Sequence, residues 1–339
     1  MENRRFNKRA EDNRTKVVCI GGGTGSASLL RGLKKATKNI TAIVAVSDDG
    51  GGSGVLRDEL GMPPPGDIRN CIQALSNAEP ILEKLMGYRF DSGRLDGQSF
   101  GNLFLAAITG ISDSFDRAVV TMGEVLSITG KVLPVATDDM HLWVEFEDGT
   151  VAFGESKIAE AKKARKSRIK RTHISPKDAK ALPECVSAIE NADIIILGPG
   201  SLYTSIIPNI LIEDIAEAIV KSNALKLYIC NVMTEPGETD GYTISDHVSE
   251  IFKHAGKKLF DYCIVNSATA DWGVLERYVK DGAEPVVIDE DEVVALGVNM
   301  IKADIASTHR GFVRHDSDKL TKEIMELSTK NAQPKLLGE

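Results

Sequence analysis

The chain has 339 residues, of which 42% are hydrophobic and 27% charged, and its formal net charge is −8. This is the composition of a soluble globular protein whose core needs neither disulfides nor a structural metal. The five cysteines form no Cys-x-x-Cys pair, which excludes zinc ribbons and thioredoxin-like sites and favours a reducing, cytoplasmic setting. No apolar run approaches the roughly 18 residues of a membrane helix, so we expect neither export nor a membrane span.

The first elements in chain order form a βαβ unit. After a polar tail, 1–16, which we expect to be disordered, the apolar run Val17–Ile20 predicts a strand. Leucines at helical spacing predict a helix over Ser26–Lys38, and the apolar run Ala42–Val46 predicts a second strand. Two strands joined by a helix within about 30 residues are parallel and connected by a right-handed crossover.

The remainder of the chain continues this alternation. Asp67–Met86 and Gln98–Ile128 have helical patterns, and so does Ile210–Ser222. Alternating residues around Asp148-Gly149 predict an antiparallel hairpin of Leu142–Phe146 and Thr150–Phe153. Further buried strands are predicted at Lys131–Ala136, Asp193–Leu197, Leu225–Cys230, Tyr262–Val265 and Pro285–Ile288.

These elements predict an α/β fold. Its centre is a Rossmann-like, doubly wound and mostly parallel sheet, with a β-hairpin insertion and extra helices. We expect a single nucleotide-binding domain over 17–327 and a frayed tail over 328–339.

Basic residues are concentrated in one segment. Lys157–Lys180 contains ten basic and two acidic residues, whereas the rest of the chain is acidic. Part of it, Ile158–Ile169, has a helical pattern without an aromatic residue that could stack on a base. We therefore interpret it as a solvated helix face and expect no nucleic-acid partner.

A glycine-rich turn follows the first predicted strand, where a phosphate-binding turn belongs. It consists of Gly21, Gly22, Gly23, Thr24 and Gly25. Such a turn lets the backbone approach an anion, and the N–H groups of the following helix point at it. Ser26 stands where the dinucleotide motif requires glycine, and the Walker-type Gly-Lys-Ser is absent. The alternative is a tight turn without a ligand.

The second strand ends at Asp48 and Asp49, before another glycine-rich turn. At the carboxyl end of a parallel strand, a carboxylate can hold a ribose hydroxyl or a Mg²⁺ ion that bridges a diphosphate. Solvated turn aspartates are the alternative. Further along, the stiff run Pro63–Pro65 precedes Asp67, a plausible helix cap, and could form a rigid lip over the crevice.

Two later loops also follow predicted strands. The first contains Gly198, Gly200, Ser201, Tyr203, Thr204 and Ser205, and the second contains Asn231. Their hydroxyl, amide and N–H groups suit a second phosphate or the substrate. Arg314, in a late cluster with His309, Arg310 and His315, carries the planar fork that suits a diphosphate, and a solvated surface cluster is the alternative. Together the loops predict a crevice for a nucleotide-like diphosphate.

The motifs together resemble one family. They are Val17–Gly25, Ser47–Gly54, Ser99–Leu103 and Leu197–Ser205, and the similarity runs from about Lys16 to about Leu320. The chain resembles the bacterial gluconeogenesis factor family, a branch of the 2-phospho-L-lactate transferase superfamily. The resemblance implies a Rossmann-like core with additional helices and a homodimer.

The resemblance also implies roles for residues. Gly21–Gly25 and Gly198–Ser205 are similar to the superfamily's two phosphate loops, with Ser53 and Asn102 in motifs of the same site. Asp48 or Asp49 resembles the transferase aspartate beside the acceptor and the metal, so we predict both as catalytic and Asp48 as a magnesium ligand. In the gluconeogenesis factor branch, Arg314 resembles a sugar-nucleotide-binding arginine, and Ser317 a phosphorylatable hydroxyl.

Three functions are open at this stage. The leading hypothesis is a cytoplasmic regulator that binds UDP-sugars such as UDP-N-acetylglucosamine, with a regulatory protein partner, and is required for cell shape and growth on gluconeogenic carbon sources. The second is a transferase that moves a phosphoester group from a nucleoside diphosphate-linked donor to an alcohol with magnesium. The third, an NAD-dependent dehydrogenase, is disfavoured by Ser26.

Overall fold

The computed structural model describes residues 14–158, 160, 167–268, 272–309 and 311–332. Residues 1–13 of the predicted N-terminal tail and 333–339 of the predicted C-terminal tail lie outside these ranges. The strands of the described residues are β1 (Val17–Gly21), β2 (Ile40–Val44), β3 (Lys131–Pro134), β4 (His141–Phe146), β5 (Val151–Phe153), β6 (Ile169–Ser175), β7 (Ile194–Leu197), β8 (Leu225–Ile229), β9 (Tyr262–Asn266), β10 (Asn299–Ala303), β11 (Ala306–His309) and β12 (Phe312–His315).

Helices flank and connect these strands. They are α1 (Gly23–Ala36), α2 (Gly51–Leu60), α3 (Gly66–Leu75), α4 (Pro80–Met86), α5 (Phe100–Gly110), α6 (Phe115–Val125), α7 (Pro183–Glu190), α8 (Ile207–Ile210), α9 (Glu213–Lys221), α10 (Ile244–Ala255), α11 (Trp272–Lys280), α12 (Glu290–Ala295) and α13 (Ser317–Ala332). A 3₁₀ turn, Gly93–Leu95, precedes α5, and a π-helical turn, Leu202–Ile206, runs directly into α8.

Seven strands form one parallel sheet in the order β3-β2-β1-β7-β8-β9-β10. The chain builds outward from β1 to β3 on one side and from β7 to β10 on the other. The strand order therefore reverses between β1 and β7, where Val17 lies opposite Ile194. In sheets of this type, ligands bind outside the carboxyl ends of the strands at this switch point. The predicted doubly wound fold is confirmed.

The central strands are apolar along their whole length because helices cover both faces of the sheet. All four residues of β7 are buried isoleucines or leucines, and every residue of β1 is buried. Helix α1 packs between α3 and α13 and buries Leu29, Leu30 and Leu33. The segment between β2 and β3 forms the predicted helical lobe, α2 to α6, beside the sheet.

The predicted hairpin is confirmed as part of a separate antiparallel sheet. Its order is β5-β4-β6, and Trp143 of β4 pairs with Phe153 on one side and His173 on the other. The third strand, β6, lies in the basic segment and begins at Ile169, where the predicted helical stretch Ile158–Ile169 ends; residues 159 and 161–166 of that stretch lie outside the described ranges. The sequence Ile-Lys-Arg-Thr-His-Ile-Ser forms a strand that buries Ile169, Thr172 and Ile174.

Three predictions for the second half of the chain differ from the structure. Pro285–Ile288 makes only isolated bridges and exposes 58% of Val287, so the prediction of a buried strand there is wrong. The seventh strand is β10, which sequence patterns miss because an edge strand is only partly buried and carries no apolar run. Helix α13 ends at Ala332, beyond the predicted start of the frayed tail.

None of the helices in the described ranges is long and apolar enough to cross a membrane.

Candidate functional site

Two glycine loops meet at the switch point. A methyl group on Gly25 would lie 2.7 Å from the carbonyl oxygen of Pro199, so the loops after β1 and β7 are in backbone contact. Ser26 Oγ donates a hydrogen bond to the Pro199 carbonyl oxygen (3.2 Å). Asn209 Nδ2 bridges the loops by donating to the carbonyl oxygens of Gly21 (3.2 Å) and Ser205 (2.7 Å). The predicted convergence of these two loops is confirmed.

The first loop delivers the amino end of α1 to this junction. The helix begins at Gly23, whose φ of 67° favours glycine, and its first turn contains no acidic residue. The cap residue Gly22 has no side chain, and the Asp67 carboxyl accepts a hydrogen bond from the Gly23 N–H group, so the later N–H groups of the first turn are the ones available to an anion. Gly198 of the second loop also has a positive φ, 75°, which orients that loop toward the first. The geometry is that of an anion-binding crevice.

The two predicted catalytic aspartates lie in different surroundings. Asp48 Oδ1 accepts a hydrogen bond from the Gly50 N–H group (2.7 Å), and its other oxygen lies beside Gly66 at the start of α3. Asp49 Oδ1 accepts from the N–H group of Ser156 (2.8 Å), just after the antiparallel sheet. Asp49 therefore ties that sheet to the end of β2, whereas Asp48 belongs to the crevice.

Further carboxyl groups come close to Asp48. Burial raises the pKa of Asp67 to about 6 with help from the Asp48 charge, while the Gly23 N–H group and Arg69 oppose the rise. Burial also raises the pKa of Asp48, against hydrogen bonds from Gly50 and Ser53. The pKa of Glu155 is raised well above its usual range by burial and by the charges of Asp48 and Asp67. Like charges at one wall therefore favour proton uptake or a cation.

Magnesium fits one part of this wall. Within the described ranges, no group of three or more histidine, cysteine, aspartate or glutamate side chains is placed to hold a metal ion together. Mg²⁺, however, usually takes only one or two protein carboxylates and completes its shell with phosphate oxygens and water. Asp48, with Asp67 nearby, matches that donor set.

Ser53 and Asn102 lie on the same wall. Asn102 Nδ2 donates to Ser53 Oγ (3.4 Å), and Asn102 Oδ1 accepts from Arg69 Nε (3.1 Å). Both predicted residues are at least 95% buried. Ser53 in turn hydrogen-bonds Asp48 and lowers its pKa. The two side chains thus hold the wall in place around Asp48.

The second glycine loop is held by the loop after β8. Asn231 Nδ2 donates to the carbonyl oxygen of Gly200 (2.9 Å), and the Ser201 hydroxyl donates to Glu238. Tyr203 is fully buried, and its hydroxyl pairs with that of Tyr242 (2.7 Å). The predicted ligand contact of Tyr203 does not agree with this geometry, because the ring packs into the core and positions the loop.

The neighbouring residues of this loop face the crevice. Ser205 packs against Gly22 and Gly23 of the first loop. The Thr204 hydroxyl acts on the Glu155 carboxyl and opposes the rise of its pKa. The predicted residues of the second loop, Tyr203 apart, are therefore brought to the junction with the first.

Arg314 reaches the rim of the same region. Its guanidinium lies 5.4 Å from the ring centre of Phe312. Burial raises the pKa of Glu235 in the loop after β8, and the Ser201 hydroxyl and the Arg314 charge oppose the rise. Next to it, His315 Nε2 lies 3.1 Å from the carbonyl oxygen of Cys230, and burial lowers the pKa of His315 to about 4. The C-terminal hairpin is thereby fixed against the end of β8.

Sequence reasoning missed part of the carboxyl cluster. We expected Asp67 to cap a helix, but α3 begins at Gly66 with Pro65 at its cap, and the Asp67 side chain crosses to the first glycine loop. Glu155 follows β5 of the antiparallel sheet, where no local motif indicates a role. Its place depends on how that sheet docks, which only the tertiary structure reveals.

A wide groove lies at the opposite edge of the main sheet. It is lined by residues that precede strands or flank α6, including Lys16, Asn39, Asp116, Glu124 and Lys131. This edge carries the amino ends of the strands, whereas ligands of such sheets bind outside the carboxyl ends. We therefore place the candidate site at the carboxyl edge.

Comparison with known proteins agrees with this geometry. The family model described as 2-phospho-L-lactate transferase CofD matches residues 17–306. A Bacillus subtilis protein named gluconeogenesis factor is 47% identical over 313 residues, which cover 92% of this chain and 98% of that protein. A protein of the same name from Halalkalibacterium halodurans is 49% identical over 311 residues, 91% of this chain and 95% of that protein.

Similarity extends to a solved structure. An X-ray structure of a Bacillus halodurans protein superposes on this chain with a TM-score of 0.89 at 48% sequence identity. The match covers 92% of this chain and 99% of that one, which confirms the Rossmann-like fold.

Proposed function

The chain belongs to the 2-phospho-L-lactate transferase CofD family and is similar to its gluconeogenesis factors, and on this premise we propose that it binds a nucleoside diphosphate-linked sugar. UDP-N-acetylglucosamine is the ligand we expect. In this proposal the protein is a cytoplasmic homodimer, and ligand occupancy alters a surface that faces a protein partner. The role is regulation of cell shape and of growth on gluconeogenic carbon sources.

One observation carries the binding proposal. The two glycine loops touch where the strand order reverses, and the first turn of α1, whose Gly23 N–H group is bound by Asp67, faces their junction. A diphosphate at this point receives backbone N–H groups and the positive end of the helix dipole. Arg314 at the rim supplies a planar donor for a phosphate oxygen. Ser201, Ser205 and Asn231 line the same side.

Isothermal titration calorimetry with UDP-N-acetylglucosamine tests this proposal. We expect a saturable heat for the unmodified protein and a much weaker one for Arg314→Ala. Absence of heat from the unmodified protein at millimolar ligand contradicts the proposal. Complementation of a bacterium that lacks its own homologous protein tests the regulatory role, and we expect Arg314→Ala not to restore growth on gluconeogenic carbon sources. Light scattering of the purified protein tests whether it is a homodimer.

The carboxyl wall favours a second function, a transferase reaction. In this reaction, the acceptor hydroxyl attacks the phosphorus atom of the donor's diphosphate that is distal to the nucleoside. The bond from that phosphorus to the bridging oxygen breaks, and a nucleoside monophosphate leaves. Bound magnesium would neutralise charge on the diphosphate, with Asp48 as its protein ligand. Asp67, with a pKa of about 6, can take up the proton that the acceptor hydroxyl loses.

Release of a nucleoside monophosphate separates the two functions. Incubation with a nucleotide-linked donor and an alcohol acceptor should release it if the transferase function holds, and Asp48→Asn should abolish the release. Ligand binding without any release supports the regulator alone.

A further inference from the structure

The loop after β8 is rigidly attached to the second glycine loop. Three contacts join them: Asn231 to the Gly200 carbonyl oxygen, Ser201 to Glu238, and the hydroxyls of Tyr203 and Tyr242. Within the loop, the Glu235 N–H group donates to Thr239 Oγ1 (2.8 Å). The Glu235 carbonyl oxygen accepts from the N–H groups of Glu238 and Thr239, both at 2.9 Å. The positions of both glutamates are therefore set by the backbone.

Glu235 carries an oxygen whose hydrogen-bonding capacity is unused. Its Oε2 atom is buried and has no hydrogen-bond partner within the described ranges of the chain. The nearby Ser201 hydroxyl lowers the pKa of Glu235, but it has a single proton, which it donates to Glu238, so Glu235 Oε2 is left without a donor. A buried carboxylate oxygen without a donor costs free energy, and a water molecule, an ion or a ligand can supply the missing partner.

The surroundings of Glu235 indicate the chemistry of that donor. A phosphate is excluded because it offers no proton at neutral pH and repels a carboxylate. A cationic group is disfavoured because Arg314 already provides a positive charge near Glu235. A neutral hydroxyl satisfies the oxygen without adding charge. Sugar hydroxyls suit this position, because Ser201 places the two glutamates directly beside the phosphate-binding junction.

We infer that Glu235 accepts a hydrogen bond from a sugar hydroxyl of the ligand, while Glu238 orients Ser201 at the second glycine loop. This inference rests on the proposed binding of a nucleotide sugar and adds a residue that selects for hydroxylated ligands. The hydroxyl belongs either to the ribose or to the second sugar, and both present the same donor chemistry.

Calorimetry on Glu235→Gln tests the inference with three probes: UDP-N-acetylglucosamine, UDP and 2′,3′-dideoxy-UDP. If Glu235 contacts the second sugar, the variant should bind UDP-N-acetylglucosamine about 10-fold more weakly and UDP unchanged. If it contacts the ribose, the first two probes should weaken alike and the dideoxy compound should not. Either pattern supports the inference.

A gain of affinity on Glu235→Gln contradicts the inference. A carboxylate that merely repels the phosphates predicts that Glu235→Gln binds all three probes more tightly. Equal affinity of the variant and the unmodified protein for every probe, or equal weakening for all three, also contradicts a hydroxyl contact. An unmodified protein that binds none of the probes refutes the proposed function itself, which is a different result.

Two further variants make the result specific. Glu235→Asp keeps the negative charge but shortens the side chain by one methylene group, so the carboxylate oxygen no longer reaches the ligand. This variant should therefore weaken binding of the same probes as Glu235→Gln. Glu190→Gln is the matched control, because that exposed glutamate ends α7 at the opposite edge of the sheet and should leave all affinities unchanged. Thermal unfolding of each variant verifies that it is folded.

Discussion

The two walls of the crevice differ in chemistry although both sit at the carboxyl edge of one sheet. The wall next to β2 gathers Asp48, Asp67 and Glu155, whose pKa values are raised by burial and mutual repulsion. The wall next to β7 and β8 presents hydroxyls, an amide and the carboxyls of Glu235 and Glu238, with the positive charge of Arg314 at its rim. The glycine loops meet between them.

This difference between the walls separates ligand binding from chemical reaction of the ligand. A diphosphate at the junction is held by backbone N–H groups, and the second wall adds contacts to the nucleotide and its sugar. The first wall can hold a proton or a cation, which is what a transferase reaction requires and what binding alone does not. The following predictions test whether the walls act separately.

The largest loss of ligand affinity is expected at the contact between the two glycine loops, on which both walls depend. Gly25→Ala places a methyl group 2.7 Å from the Pro199 carbonyl oxygen and 3.1 Å from the Gly200 nitrogen, so the loops must separate. We expect binding of UDP-N-acetylglucosamine to weaken by about 300-fold, because backbone atoms cannot yield as side chains do. Calorimetry measures this loss.

Gly110→Ala is the control for that change. Apart from its chain neighbours and the backbone of its own helix, no described atom lies within 4 Å of the added methyl group at the end of α5, so binding should stay as in the unmodified protein. Comparable affinities for the Gly25→Ala and Gly110→Ala variants would show that the loop contact is irrelevant to the ligand.

The carboxyl wall should respond to pH. The folded state holds a proton on Asp67 up to a pKa of about 6, whereas the unfolded chain releases it near 4. Stability therefore falls as pH rises through this window, by roughly 3 kcal/mol from Asp67, and changes little from this group above it. Asp67→Asn should remove most of this decrease in stability with rising pH.

Urea unfolding from pH 4 to pH 7 measures that difference. Asp48 and Glu155 shift in the same direction and leave the variant a smaller slope of the same sign. The exposed Asp113 provides the control, since Asp113→Asn should keep the full pH dependence. An Asp67→Asn variant with the same profile as the unmodified protein would contradict the proposed coupling of the carboxyls.

Arg314→Ala should affect only the second wall. Loss of a charge-assisted hydrogen bond to phosphate should weaken UDP-N-acetylglucosamine binding by about 30-fold. The pH dependence of stability should persist, because the carboxyl cluster is left intact. Arg117→Ala, an exposed arginine at the opposite groove, is the matched control. Equal binding by both variants would remove Arg314 from the site.

The smallest effect is expected from Tyr203→Phe. The change removes the 2.7 Å hydrogen bond between the Tyr203 and Tyr242 hydroxyls, which should cost about 1 kcal/mol of stability. Ligand affinity should change less than threefold, because Tyr203 positions the loop from within the core. A large loss of affinity without a loss of stability would instead restore Tyr203 as a ligand contact.

The sequence predicts the first wall only in part and the fold rather well. β1, its glycine loop and α1 follow from an apolar run, glycines and leucine spacing, which are local signals. Asp67 and Glu155 join Asp48 from separate segments, and their shifted pKa values arise from distances that no local pattern encodes. The same holds for Glu235, whose role depends on the contacts of Ser201.

Errors in the strand predictions have a related cause. Pro285–Ile288 is apolar but exposed, whereas β10 is a true strand with a mixed sequence at the sheet edge. Periodicity reports which side of an element is buried, and an edge strand is only partly buried. In β6 the basic residues masked an alternation that the structure makes evident.

Hydrogen exchange with UDP-N-acetylglucosamine, read by mass spectrometry, tests most directly whether the two glycine loops form one binding crevice. We predict slower exchange on ligand addition in both Gly21–Ser26 and Gly198–Ser205, with no change around Asp116–Glu124 in the opposite groove. Slowing confined to that groove, or to one glycine loop without the other, would contradict a shared crevice.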